Sequence, residues 1–402
     1  MTGKKQSILL LNQTFYPDKA ATAQHLTDLA FELEADGHEV TVLTGRRGYA
    51  DPSQVYPAQE LRQGIKIIRV WPHSWGKKIR VLRIAEAVFI NLAFAFKLFS
   101  LPRFDKIVCL TSPPLIAAAA AACASLKKTK LVYWVMDLNP DEAIAAGWVK
   151  EGSFSARALG KALEFSLHKS DLIIALDEYM SQRIQHKGIG VGRIRVIPPW
   201  PLDTDLDYIP QEKNPFLVEH HLQKKFVVMY SGNFSICHPL ITLLNSALAL
   251  KNDPDIVFLF IGGGARLDEV LEFKSNYGLD NIVYLPYVPR HHIKFSLSAA
   301  NLHVVVMGEP YVGIVHPCKI YSILRLGIPF LYIGPEKSHV GDILKGGYPG
   351  YGARHGDVGK IAGLITELKT RTSVRSQSAH ARHLEFSRAN LLTKLKHEIA
   401  IV

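Results

Sequence analysis

"PPWPLDTDLDYIPQEKNP", residues 198–215, interrupts a chain that otherwise alternates short apolar runs with longer helical stretches. Prolines and acids replace the alternation here, as expected of a linker. On its N-terminal side seven runs have the length and character of strands: "SILLLN", "EVTVLT", "IKIIRV", "KIVCLT", "KLVYWV", "DLIIAL" and "IRVIPP". Segments of helical period separate them, such as "TAQHLTDLAFELEADGH", where Leu26, Leu29, Ala30 and Leu33 follow 3,4 spacing and Gly37 supplies the stop. On its C-terminal side a second series begins: "FVVMYSGN", "IVFLFIGGG", "NIVYLPYV", "NLHVVVM" and "IPFLYIGP". Strands alternating with helices predict parallel sheets covered on both faces. The fold class is therefore α/β, with two tandem Rossmann-like, doubly wound domains. Ligands of such sheets bind beyond the carboxyl ends of the strands, so the two domains are expected to face each other across a cleft lined by loops from both.

With 402 residues, 48% hydrophobic and 21% charged, the chain has apolar material for two full cores. Its four cysteines, Cys109, Cys123, Cys237 and Cys318, never pair as Cys-x-x-Cys, so neither a zinc site nor a disulfide framework is expected and a reducing cytoplasm fits. In "MTGKKQSILLLNQ" the apolar run is too short for a signal peptide and reads as a first buried strand. The net charge of +11 points to an acidic partner: nucleic acid, a nucleotide or an anionic membrane. Between Gly76 and Arg103 the bases Lys77, Lys78, Arg80, Arg83, Lys97 and Arg103 face a single acid, Glu86, and the same stretch carries Phe89, Phe94, Phe96 and Phe99. It is too polar for a membrane span. A basic, aromatic-rich helix lying in an anionic membrane surface is the expectation for residues 77–103, with a buried core helix as the alternative. No nucleic-acid module is recognisable, and nucleic acid is not expected as a partner.

Chemistry should sit in the loops after the strands. "NQTFYPDKAATAQH" follows the first strand; Thr22 stands where it would cap the next helix, whose N-terminus either meets a phosphate or is merely capped. Asp137 directly follows the strand "KLVYWV", where a carboxylate either orients or deprotonates a hydroxyl or caps the turn. In "MYSGNFSICHP", Gly232 allows close backbone approach, and Asn233, Ser235 or His238 are placed to meet a phosphate. "IGGGARLDEV" adds Gly262, Gly263 and Gly264, a weak signal alone. In "EPYVGIVHPCKIYSILRLGIPF", residues 309–330, Pro317 fits the first helical position and His316 the cap. Free amides there, with His316 beside them as a further donor-side contact and Lys319 as the positive charge, suit a pyrophosphate. Asp203-x-Asp205 lies in the linker and His291-His292 has no third ligand near it in sequence, so no metal site is expected.

The order of "FYPDKAATAQHLTDLAFELEADGHEVTVLT", "DLNPDEAIAAGW", "ALDEYMSQRI", "VIPPW", "YSGNFSICHP", "IGGGARLDEV" and "HPCKIYSILRLGIP" resembles the GT-B glycosyltransferases, in particular the WbuB-like branch of glycosyltransferase family 4, over nearly the whole chain. The resemblance implies domains at 1–205 for the acceptor and 206–380 for the nucleotide-sugar, with a helix at 381–402 packing back on the first. It implies metal-independent transfer, with retention and no cofactor, from a UDP- or GDP-linked sugar. The loop at Gly232 and the helix at Pro317 to Lys319 would face the donor diphosphate, and Gly262, Gly263, Tyr287 and Val288 would line the base. Tyr16, Lys19 and Thr22 are the candidates on the acceptor side, and Asp137 falls where many relatives carry a histidine.

The family's two glutamates fall at Ile314 and Ser322, so Ser322 would offer the ribose one hydroxyl and Glu309 would reach the sugar from a shifted loop. The expected function is hexosyl transfer to a lipid-linked or glycan acceptor in envelope polysaccharide synthesis, at the inner face of the membrane. A nonhydrolysing sugar-nucleotide epimerase and a catalytically weak nucleotide-sugar-binding protein are the alternatives.

Overall fold

The computed structural model describes residues 5–18, 20–48, 53–71, 80–202, 206–371 and 383–402. Lys19, Lys77, Lys78 and Asp203 to Asp205 lie outside them, as do the side chains of Arg80 and Arg83. The chain divides into two compact units, one of residues 1–202 with 313–316 and 391–402, the other of residues 203–312 with 317–390.

The first unit is built on strands β1 (Ser7–Leu11), β2 (Glu39–Gly45), β3 (Gln59–Arg62), β4 (Ile65–Val70), β5 (Lys106–Cys109), β6 (Lys130–Trp134), β7 (Leu172–Ala175) and β8 (Ile194–Val196). Their order is β3-β4-β2-β1-β5-β6-β7-β8. Only β3 runs antiparallel, hairpinned to β4 through Gln63 and Gly64 at positive φ. Leu9, Leu10, Val42, Val108, Val132 and Ile173 are fully buried, as strands covered on both faces require. The strand order reverses between β1 and β5, which makes their carboxyl ends the switch point of this sheet.

The linker is not wholly a linker. Trp200 is buried in the first unit, where its indole N–H donates to Asp28 Oδ2 at 2.8 Å and its ring takes His25 edge-on, centroids 4.8 Å apart. Among the described residues neither nitrogen of His25 has a hydrogen-bond partner, and burial lowers its pKa to about 3, so the ring is neutral. The helix Arg388–Ile401 buries Leu391, Leu392, Leu395 and Ile399. Lys106 of β5 donates to its last carbonyls, Ile399 O and Ala400 O, at 2.5 and 2.8 Å, and Lys396 bridges Glu32 and Asp36, both at 2.9 Å. A cation at a helix C-terminus satisfies carbonyls that have no intrahelical partner.

The helix Arg80–Ser100 divides its apolar residues between two faces. Ile90, Phe94 and Leu98 recur every four residues and are buried, whereas Val88, Leu92 and Phe96, with Phe89 and Phe99, are exposed. Phe94 therefore leaves the set of aromatics expected at a membrane: 3.6 residues per turn carries it to the core side. Among the described residues no helix is long and apolar enough to cross a membrane.

The second unit holds β9 (Phe226–Asn233), β10 (Ile256–Gly263), β11 (Ile282–Leu285), β12 (Leu302–Val306), β13 (Phe330–Ile333) and β14 (Gly350–Ala353), in the order β11-β10-β9-β12-β13-β14, all parallel. Strand period 2 sends Val228, Tyr230, Phe258 and Phe260 to one core and Val227, Met229, Val257 and Leu259 to the other. The order reverses between β9 and β12, so their carboxyl ends are where a ligand of this sheet is expected.

Candidate functional site

At the end of β9 the register pairs Gly232 with Gly262 and Asn233 with Gly263. Gly262, at φ +133, has no alternative: a Cβ there would lie 2.0 Å from Gly232 O. Two glycine turns thus pack backbone to backbone, with Tyr284 Oη donating to Gly262 O and Tyr287 Oη to Gly263 O, each at 3.1 Å.

Against these turns lies a cavity of about 210 Å³. Ile261, Val288, Ile293, Leu297 and Ile323 make it mostly apolar, and Ser231, Gly232, Tyr287, Ser296, His303, Lys319 and Ser322 also line it. Ser296 Oγ donates to Ile293 O, and His303 Nε2 lies 3.0 Å from Leu297 O, so both are turned onto their own backbone. Ser231, Lys319 and Ser322 remain as the polar side chains facing a ligand.

Lys319 begins the helix Lys319–Leu326, whose cap residue is Cys318. Pro317 stands just before the cap rather than at the first helical position, and its carbonyl accepts from Ile320 N at 3.2 Å, which closes the entering turn. The Lys319 Nζ is buried with no hydrogen-bond partner among the described residues and sits 3.6 Å from the centroid of the Tyr230 ring. Burial lowers its pKa to about 7, against a small upward pull from Cys237. Both Cε and Nζ lie 3.5 Å from where a Gly232 Cβ would be, so a group crossing Gly232 meets the amine. A buried amine without a hydrogen-bond partner among the described residues, beside half-buried glycine backbone, is suited to an anion.

Two expected phosphate contacts move elsewhere. His238 Nδ1 is 3.0 Å from Tyr230 Oη, and burial, then the charge of Lys319, lower its pKa to about 3. A neutral ring held by a phenol is no phosphate-binding cation. His316 groups with the first unit, where its Nδ1 is 2.7 Å from Asp177 Oδ2 in a buried pair. Asp177 also caps the helix Glu178–His186 by accepting from Met180 N at 2.8 Å. Neither Asp177 nor Tyr230 was singled out in the sequence. The "LDEYM" that follows a strand was the readable cue for the first; Tyr230 looks like any strand residue.

Of the other donor-side candidates, Asn233 is exposed at the strand end, and Glu309 is exposed in the short turn Glu309–Tyr311, outside the cavity lining. Ile314, at the first glutamate position, is buried and accepts from Leu138 N at 3.0 Å; Ser322, at the second, lines the cavity.

In the first unit Asp137 follows β6, half-buried, with its pKa raised to about 7 by burial and secondarily by Glu142. A carboxyl so placed gives up its proton near neutrality, where a general base works best. Thr22 does not cap its helix: the cap residue is Ala20, whose N–H donates to Asp18 Oδ1, and the Thr22 hydroxyl is 3.2 Å from that of Thr14. Tyr16 carries the Arg62 guanidinium on its ring at 3.9 Å.

Two parallel-dominated α/β sheets, each with its own switch point, are the architecture of the GT-B fold. By sequence, residues 21–200 match the family described as a glycosyl transferase 4-like domain. The chain is 23% identical to the probable glycosyltransferase WbjE of Pseudomonas aeruginosa over 299 residues, 74% of each chain. It is also 23% identical to the putative colanic acid biosynthesis glycosyl transferase WcaI of Escherichia coli K12 over 337 residues, 80% of this chain and 81% of that one. In structure it is similar to Anabaena HepE in complex with UDP-glucose, with a TM-score of 0.71 at 14% identity over 99% of this chain and 100% of that one. The fold is that of the GT-B glycosyltransferases, and over residues 21–200 the chain is similar to the glycosyl transferase 4-like family.

Proposed function

We propose that this glycosyltransferase moves a hexose from a UDP- or GDP-linked donor to a lipid-linked acceptor in the synthesis of an envelope polysaccharide, with retention and without a metal. The second unit takes the donor and the first the acceptor. The partnerless Lys319 amine beside Gly232 carries the reading, since it supplies the positive charge that a departing diphosphate needs. HepE was crystallised with UDP-glucose and WcaI is described as acting in colanic acid biosynthesis, and both support the substrate class. On the acceptor side Asp137, ionising near neutrality, receives or orients the acceptor hydroxyl proton.

A thermal-shift panel of nucleotide sugars tests the donor. At about 100 times its dissociation constant a ligand adds about 2.7 kcal/mol to stability, a rise of several degrees. A panel in which no UDP- or GDP-sugar raises the melting temperature sinks the reading.

The proposal places the enzyme on the cytoplasmic face of a membrane through the exposed stripe Val88, Leu92 and Phe96. Replacing Leu92 and Phe96 by serine should weaken sedimentation with anionic vesicles at least about tenfold, with the melting temperature unchanged because both side chains are already in water. Undiminished sedimentation removes the membrane from the proposal.

A further inference from the structure

Among the described residues Lys319 lacks what normally holds a buried lysine, a carboxylate. In its place stands an aromatic face: the Tyr230 centroid is 3.6 Å from Nζ, within the range of an attractive cation–π contact. That ring is fixed from its other end. Tyr230 is fully buried, and its hydroxyl donates to Asn233 O at 3.0 Å and lies 3.0 Å from His238 Nδ1. Its ring also packs on Phe234 and Phe260, centroids 5.4 and 6.3 Å away. The seat of the amine is thus rigid, and it abuts the bare backbone of Gly232.

We propose that Tyr230 is a positioning residue for the donor: its ring holds the Lys319 amine at Gly232, and the charge that meets the diphosphate is completed by a proton taken up from solvent as the donor enters. This rests on the donor reading above. No bond forms or breaks; one proton passes from water to Nζ, and the ammonium is then paired with the diphosphate.

The groups around Nζ agree on the direction. Burial holds Lys319 near 7 in the empty site. Cys237 in the loop after β9 pulls the value up a little, but burial holds Tyr230 in its neutral form, and His238 and His303, lowered to about 3 and about 4, are uncharged near neutrality. Arg266, from the turn after β10, acts on Tyr230 and His238, and its guanidinium is bound to Glu269 Oε2 at 2.6 Å. The ring face and, more weakly, Cys237 favour the ammonium over the amine. A diphosphate adds two negative charges beside Nζ and must raise its proton affinity. Donor affinity is then greatest below about 7 and falls by up to tenfold for each pH unit above it, until the lysine of the complex itself titrates.

The probe is UDP-glucose, whose diphosphate diester does not titrate near neutrality. Calorimetry about one pH unit above the Lys319 value, in buffers of different ionisation enthalpy, should show uptake approaching one proton. Zero uptake with measurable binding overturns the proposal. Tyr230→Phe keeps the ring and should keep the pH profile; Tyr230→Leu removes it, and its affinity loss should grow as pH rises through neutrality. A loss equal at every pH would make Tyr230 merely structural. The ligand-free titration of the Lys319 side chain, followed by NMR of lysine-labelled protein and assigned with Lys319→Arg, reads the same claim without a nucleotide. A midpoint near 7 in the parent and in Tyr230→Phe supports it, and one at the ordinary lysine value of 10.5 overturns it. If UDP-glucose and GDP-mannose both fail to bind while Lys319 titrates near 7, the donor reading fails and the seat stands.

Discussion

Lys319→Met should do two opposite things. It should weaken nucleoside diphosphate-sugar binding by about 2–3 kcal/mol, roughly 30- to 150-fold, because a charge-assisted contact to the diphosphate is lost. It should also raise the melting temperature of the ligand-free protein, because a buried amine without a partner is replaced by an apolar chain of similar length. The sign follows from the titration. The folded-state pKa lies below the unfolded one, so the folded state binds fewer protons, and the lysine costs stability that is absent above the ordinary value of 10.5, grows as pH falls, and is complete at about 7. The gain from Met should therefore be larger at neutrality than at alkaline pH. A variant that is less stable and binds UDP-glucose as well as the parent would show that Lys319 holds the fold instead of a ligand.

Gly262→Ala should be among the most damaging single methyl groups in the second unit. Its Cβ would sit 2.0 Å from Gly232 O in a strand pair whose register cannot shift, and φ of +133 adds strain that no side chain relieves. Backbone strain of about 1–3 kcal/mol and overpacking of a similar size together predict a loss of about 2–6 kcal/mol and a fall in melting temperature on the order of 10 °C. Gly278 is the control. It too has positive φ, +58, but nothing lies within 4 Å of its Cβ, so Gly278→Ala should cost only about 1–2 kcal/mol. Equal losses at the two sites would mean that the close approach of the two glycine turns is not what Gly262 serves.

The ease with which these strands were read has a physical cause. A parallel strand buried on both faces is apolar at every position, so "KLVYWV" and "IVFLFI" announce themselves. β3 and β14 offer no such run. β3, "QELR", is an antiparallel edge with mostly exposed residues, and β14, "GYGA", is an edge half made of glycine. Helix starts were less legible. The spacing puts Thr22 and His316 at the caps and Pro317 at the first helical position, but capping depends on which donors the preceding loop leaves free, and Asp18 takes the amide that the loop before Ala21 presents.

Local composition and period by themselves determined two α/β sheets, the glycine turns that end β9 and β10, and a lysine opening the helix after Pro317. These are properties of single segments, set by side-chain period, φ and the absence of Cβ. Only the tertiary structure decided what each polar side chain meets. His316 and His238 read as phosphate ligands because they neighbour the right turns in sequence, yet packing gives one to Asp177 and the other to Tyr230. Phe94 reads as one more aromatic of a basic helix, yet the turn of that helix buries it. Lys319 gains its meaning from burial, since taking an amine out of water without a partner is what lowers its proton affinity and leaves it to be completed by an anion.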